Sequence, residues 1–136
     1  MSHPVRGALV GLVAVGGALG ATLRWWLGDL LGDTVDHDFP WTLLAVNLLG
    51  AALLAALTYG SWLAGRDSQV RDRWRVFLGP GLLGGFTSVS AFSAETLLLA
   101  RGDAPWLALV YVLVTVGGGL LAVTAVARVA TAGGRS

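Results

Sequence analysis

The sequence predicts an all-α integral membrane protein with four membrane-crossing helices, the third broken at its centre. Three observations predict it. Of 136 residues, 55% are hydrophobic and 12% charged, about half the charged share of an ordinary soluble domain, and mean hydropathy is +0.73. The apolar residues are gathered into four long runs, each near the roughly 20 residues that cross a bilayer core. Inside the third run, Gly79-Pro-Gly-Leu-Leu-Gly-Gly-Phe-Thr-Ser-Val-Ser-Ala-Phe-Ser-Ala-Glu95 carries glycines, a proline, hydroxyls and a carboxylate. Glycine and proline weaken a helical ladder, and each backbone group they free must find another partner. Such backbone is tolerated at membrane depth where it is buried in protein or lines a polar cavity. A glycine-rich helix packed closely on its neighbours is the plainer alternative.

The chain reads as a single four-helix domain with spans at 7–27, 41–64, 76–100 and 106–129. The first begins with the apolar run Gly7 to Leu23 and ends in Arg24-Trp25-Trp26, the tryptophans placed as interfacial anchors. That run exceeds the apolar core of about 7–15 residues in a signal peptide, so a retained helix is expected. Gly7/Gly11 and Gly16/Gly20 both have the four-residue spacing that admits a close neighbour helix. The second span holds Asn47, an amide that in lipid must face other helices or a wet cavity; glue and lining are both open readings. Arg66 to Arg75 reads as a basic loop or short amphipathic turn at the membrane surface. In the last span Tyr111, Thr115 and Gly119 recur every four residues and share one face.

Charge distribution predicts orientation. Arg6, Arg66, Arg71, Arg73, Arg75, Arg128 and Arg135 fall on one side of a four-span model, and only Arg24 and Arg101 on the other. The linker between the first two spans, with Asp29, Asp33, Asp36 and Asp38, lies opposite the arginine-rich side. Both termini are therefore expected in the cytoplasm. Net charge is only +1, which offers no electrostatic basis for a nucleic-acid partner, and the absence of cysteine excludes disulfides.

The polar residues within the spans include Asn47, Thr87, Ser88, Ser90, Ser93, Glu95, Tyr111 and Thr115. They include no histidine and no carboxylate pair, so no nucleophile–base set can be assembled and an enzyme is not expected. Glu95, the one acid within a span, is a functional candidate by its position. Neutral amide and hydroxyl donors suit a small hydrated anion, whose water they replace without trapping it. Ring edges carry the positive end of the aromatic quadrupole and serve the same purpose. Bare carbonyls at a helix break favour a cation instead. Four helices enclose little polar volume, so a dimer is expected.

The segment Gly81-Leu-Leu-Gly-Gly-Phe-Thr-Ser-Val-Ser-Ala-Phe-Ser-Ala-Glu95 resembles the third-helix signature of the CrcB/Fluc fluoride channels, Gly-x-x-Gly-Gly-Phe-Thr-Thr-Phe-Ser-Thr-Phe-Ser-x-Glu. Gly16-Gly-Ala-Leu-Gly-Ala-Thr-Leu-Arg24 resembles the first-helix Gly-Gly-x-x-Gly-Ala-x-x-Arg. Val46-Asn47-Leu-Leu-Gly50 resembles the second-helix Val-Asn-x-x-Gly, and Tyr111 with Thr115 fits the last-helix polar track. The resemblance implies a passive fluoride channel of the bacterial cytoplasmic membrane, built as an antiparallel dimer with two pores lined by both chains. Asn47, Ser88, Phe92, Ser93, Tyr111 and Thr115 would line the fluoride path, with Arg24 at a vestibule. The carbonyls of Gly84 and Thr87 would hold a structural sodium ion, and Glu95 would be a family position without an assigned role.

Three positions depart from the signature. Val89 replaces its second phenylalanine, and Ser88 and Ala91 replace the two neighbouring threonines. Valine has neither ring edge nor donor, so part of one pore lining would be lost. With the one-sided arginine distribution, this predicts one half of a heterodimer paired with an oppositely inserted relative; a homodimer is the alternative. A small proton-coupled multidrug exporter also uses four short helices, but that mechanism needs an acid in the first span, and Gly7 to Leu23 has none.

Overall fold

The computed structural model describes residues 3–31, 39–61, 63 and 65–133. Asp33, Asp36, Asp38 and Arg135 of the predicted charge pattern lie outside these residues. Helix α1 (His3–Leu31) has 29 residues and at 1.5 Å per residue extends about 44 Å, more than the hydrocarbon core requires. Helix α2 (Trp41–Tyr59) has 19. It stops before the predicted limit at Ala64, because Gly60 turns extended while its N–H still closes on the Ala56 carbonyl at 2.9 Å. Gly65, at φ 81°, takes the left-handed conformation that glycine adopts without a Cβ penalty. The chain there turns back towards the membrane.

Most of the arginine-rich stretch is helical, nearer the amphipathic-turn alternative than the loop. Ser68–Val76 forms helix α3, capped by the Asp67 carboxylate, which accepts from the Gln69 N–H at 2.8 Å. It runs directly into a π-helical segment, Phe77–Leu83, then a single turn α4 (Gly84–Phe86), and after the break α5 (Val89–Arg101). Helix α6 (Trp106–Gly133) completes the chain. Four stretches, 7–31, 41–59, 68–101 and 106–132, are long and apolar enough to cross a membrane.

The third span is broken near its centre, within the predicted Gly79–Glu95 stretch and at its Thr87-Ser88 rather than at Pro80. Pro80 lies inside the π segment. Proline lacks an N–H and crowds the preceding turn; a wider turn, with the Gly84 N–H reaching Gly79 O, carries the chain through. The interruption comes at Thr87 (φ −79°, ψ 154°) and Ser88 (φ −147°, ψ 110°), both extended.

The π segment is held against α1 by backbone contact. A Cβ on Gly16 would stand 2.6 Å from the Phe77 carbonyl oxygen and 2.9 Å from the Leu82 nitrogen. One on Gly20 would meet the Leu82 carbonyl and the Phe86 nitrogen, the latter at 2.7 Å. Gly85 answers from the other side, 2.8 Å from the Gly17 Cα by the same construction. Of the two glycine pairs predicted to admit a neighbour, Gly16/Gly20 does so and Gly7/Gly11 has no atom within 4 Å. Helix α2 packs on α6, where Leu48 Cδ2 would lie 3.0 Å from a Cβ on Gly118. The α5–α6 contact runs through Phe92 and Tyr111.

Candidate functional site

The site grows from one hydrogen bond. Asn47 on α2 accepts the Ser88 N–H through Oδ1 at 3.1 Å, tying the middle of the second helix to the break in the third. That bond takes from the α ladder the amide that would otherwise serve the Gly84 carbonyl. Ser88 does the same one turn on: its Oγ accepts the Ala91 N–H at 3.1 Å, the geometry of an N-cap. The Ala91 amide would otherwise bond the Thr87 carbonyl. Two side chains thus divert two amides, and the carbonyls of Gly84 and Thr87 are two of the four, at 84–87, that no helical turn serves across the break. The ladder resumes at once, with Phe92 N–H on Ser88 O at 3.1 Å.

Gly50 shares a face with Asn47 one turn along α2. A Cβ there would collide with Thr87 Cγ2 and stand 3.8 Å from the Phe86 ring. Val46-Asn47-x-x-Gly50 therefore has a local meaning: the amide caps the break and the glycine leaves space for the threonine beside it. The glue reading of Asn47 is realised through Oδ1. Engaging the oxygen orients the carboxamide so that its NH₂ end points away from the Ser88 amide.

The hydroxyls divide by partner. Thr87 Oγ1 donates to the Leu83 carbonyl at 2.9 Å, and Ser93 Oγ to the Val89 carbonyl at 2.9 Å. Ser88 Oγ lies 3.2 Å from Ser90 Oγ in addition to its capping bond. Thr115 differs, since its Oγ1 is buried with no hydrogen-bond partner. Thr115 and Gly118 lie on one face of α6, the face that meets Leu48 beside Asn47. Tyr111, one turn earlier, is wholly buried at 0% exposure. Its ring packs on Phe92 at 5.3 Å between centroids, 36° apart, and receives Phe39 edge-on at 5.5 Å and 87°.

Asn47 and Ser88 thus meet at the break, Phe92 and Tyr111 meet where α5 packs on α6, and Thr115 lies one turn beyond Tyr111 on α6. Arg24 stands apart on α1, its Nε buried without a hydrogen-bond partner, and no hydrogen bond among the described residues joins it to Asn47 or Ser88. Glu95 shares the α5 face of Phe92 one turn on. Val89, the first residue of α5, is 80% exposed. Two contributors were not predicted. Gly50 was visible only as part of a resemblance, and Phe39, just before the Pro40-Trp41 start of α2, carried no signal of its own.

The capping role of Ser88 makes a modest prediction. Ser88→Ala is expected to lower unfolding stability in detergent by about 1 kcal/mol, and Ser88→Asp to restore most of it. Thermal unfolding followed by circular dichroism measures both, and equal stability of Ser88→Ala and the parent would remove the cap.

A family model described as CrcB-like protein, Camphor Resistance (CrcB), matches residues 11–127. Among similar proteins, the fluoride-specific ion channel FluC of Erythrobacter litoralis is 41% identical over 108 residues, covering 76% of this chain and 78% of that one. The FluC of Thermus thermophilus is 46% identical over 100 residues, covering 74% and 77%. That of a Chelativorans species is 40% identical over 111 residues, covering 82% and 86%.

Proposed function

The chain belongs to the CrcB-like family, and from that membership we propose that it is a fluoride-specific channel subunit passing fluoride passively out of the cell. The observation that carries the site assignment is the Asn47–Ser88 hydrogen bond at the break. It orients donors at membrane depth without placing a fixed positive charge there, which favours entry of an anion while leaving it able to depart.

In this reading the NH₂ of Asn47 donates to fluoride, and the unpartnered Oγ1 of Thr115 donates further along the α6 stripe. Phe92 offers a ring edge where it flanks Tyr111. Ser88 and Ser93 complete the lining, with Arg24 drawing anions into a vestibule. Helix α5 adds its own field: a 13-residue helix that begins at the break directs the positive end of its dipole to the same place.

A structural sodium ion held by the Gly84 and Thr87 carbonyls is part of the proposal. What supports it is the diversion of both carbonyls' helical donors, by Asn47 and by the Ser88 hydroxyl. Neutral carbonyl oxygens are the donors a hard monovalent cation takes. The ion would supply fixed positive charge beside an anion path and pin the break.

The channel is proposed to be an antiparallel dimer in the bacterial cytoplasmic membrane, with this chain's termini in the cytoplasm. Its nine basic residues are divided seven to two between the sides, a bias that a chain inserting both ways would lack. Together with exposed Val89 and Ala91, this favours pairing with a related, oppositely inserted subunit, so that one pore is impaired. Reconstitution in liposomes tests both levels. Fluoride efflux that requires a potassium ionophore for charge balance, and is not matched by chloride, is expected of the channel. Efflux only after addition of a second family subunit is expected of the heterodimer, and full two-pore activity of this chain alone excludes it. Drug–proton exchange in place of fluoride efflux overturns the channel.

A further inference from the structure

Away from the break, α1 and the start of the third span enclose an open cavity of about 390 Å³, lined by Leu12, Val70, Arg73, Trp74 and Phe77. Its size lies within the range of about 300–1,000 Å³ usual for small-ligand pockets. Four of the five lining side chains are apolar or aromatic, the fifth is a cation, and none is acidic. The α3 sequence produces this arrangement directly. Val70, Arg73, Trp74 and Phe77 recur at the three- and four-residue spacing that collects side chains on one helical face. Trp74 and Phe77 meet edge to face, 6.0 Å between centroids and 86° apart.

We propose that this groove binds an anionic phospholipid, its acyl chain against Leu12, Val70 and Phe77 and its phosphate on Arg73, with Trp74 at headgroup level. Charge complementarity selects the occupant. Arg73 is the one charged side chain of the lining, Arg66, Arg71 and Arg75 make the surrounding segment basic, and one of its two aspartates, Asp67, is committed to capping Gln69. Asp72 projects from the helix face opposite Val70. A wholly apolar occupant would leave Arg73 unpaired in the groove, and a zwitterionic headgroup would bring an ammonium towards a basic segment. A basic amphipathic helix bearing tryptophan at the interface is the chemistry that attracts anionic lipid.

The test uses the full chain reconstituted in vesicles of equal parts phosphatidylglycerol and phosphatidylcholine, extracted gently and examined by native mass spectrometry. Retained phosphatidylglycerol is expected to exceed phosphatidylcholine about fivefold, the factor equivalent to about 1 kcal/mol for one arginine near the surface. Arg73→Gln is expected to bring the ratio close to one. Leu12→Trp, which fills the groove, should remove lipid of both kinds. Arg101→Gln, at the far end of the same span, should leave the ratio as in the parent. A parent ratio near one, or an unchanged ratio in Arg73→Gln, overturns the proposal. So does an equal fall in Arg101→Gln, which would report net charge alone. Absence of any retained lipid, the result if a second copy of the chain covers the groove, overturns it too. Each readout is made without fluoride, so failure here is distinct from failure of the channel assignment.

Discussion

Gly20→Ala is expected to destabilise the protein by about 3 kcal/mol or more, the upper end of what overpacking costs. The added Cβ meets the Leu82 carbonyl and the Phe86 nitrogen, the latter at 2.7 Å. Both are backbone atoms of the segment next to the break, so no rotamer change relieves the contact. The only response is for α1 to move away from the π segment, separating the two elements whose backbones approach most closely. Gly85→Ala is expected to do the same from the opposite side, its Cβ arriving 2.8 Å from the Gly17 Cα. Gly7→Ala and Gly11→Ala supply the contrast. Neither Cβ has an atom within 4 Å, and replacing glycine by alanine in a helix interior stabilises by up to about 1 kcal/mol. Thermal unfolding of the four variants in one detergent measures the difference. Equal stability of Gly20→Ala and Gly7→Ala would mean that α1 does not touch the third span as described.

Asn47→Asp is expected to reduce fluoride flux about a hundredfold or more while leaving a folded protein. A carboxylate oxygen can still accept the Ser88 N–H, so the cap survives, but the NH₂ donors are gone and a negative charge replaces them. Two like charges 4 Å apart repel by about 4 kcal/mol at an effective dielectric near 20, about three decades in rate. Asn47→Leu separates the two duties of the residue. It removes the donors and also strands the Ser88 amide, so flux is expected to vanish and stability to fall by about 1–3 kcal/mol. Flux from liposomes at matched protein loading, with unfolding measured on the same preparations, decides the matter. Undiminished flux in Asn47→Asp would remove this residue from the conduction path.

The sequence made the number of spans legible because hydropathy alone encodes them, and the membrane restricts what can cross it. A break within Gly79–Glu95 was also legible, but composition alone did not say which of its residues makes it; only the resemblance pointed to Gly84 and Thr87. Gly79, Pro80 and Gly81 look like the interruption, yet a π turn absorbs the missing amide of Pro80. The true break needs Asn47, 41 residues away along the chain. No local pattern announces a side chain on one helix capturing an amide on another. The same reason hid the difference between Gly16/Gly20 and Gly7/Gly11, identical in spacing and opposite in surroundings. Of the two readings of Arg66 to Arg75, loop and amphipathic turn, the second is nearer the helix that forms, and charge alone could not choose between them. Its apolar residues Val70 and Trp74 keep helical spacing, and Asp67 stands ready as a cap.

The glycine seam between α1 and the third span also limits which variants of this gene can arise and persist. Every single-base change in a glycine codon that alters its product either introduces a Cβ or ends translation. Gly16, Gly20 and Gly85 meet main-chain atoms rather than yielding side chains, so their codons have no tolerated missense neighbours. Gly7 and Gly11 stand free to drift. Population sampling of this gene should therefore find missense changes at those two codons and none along the seam.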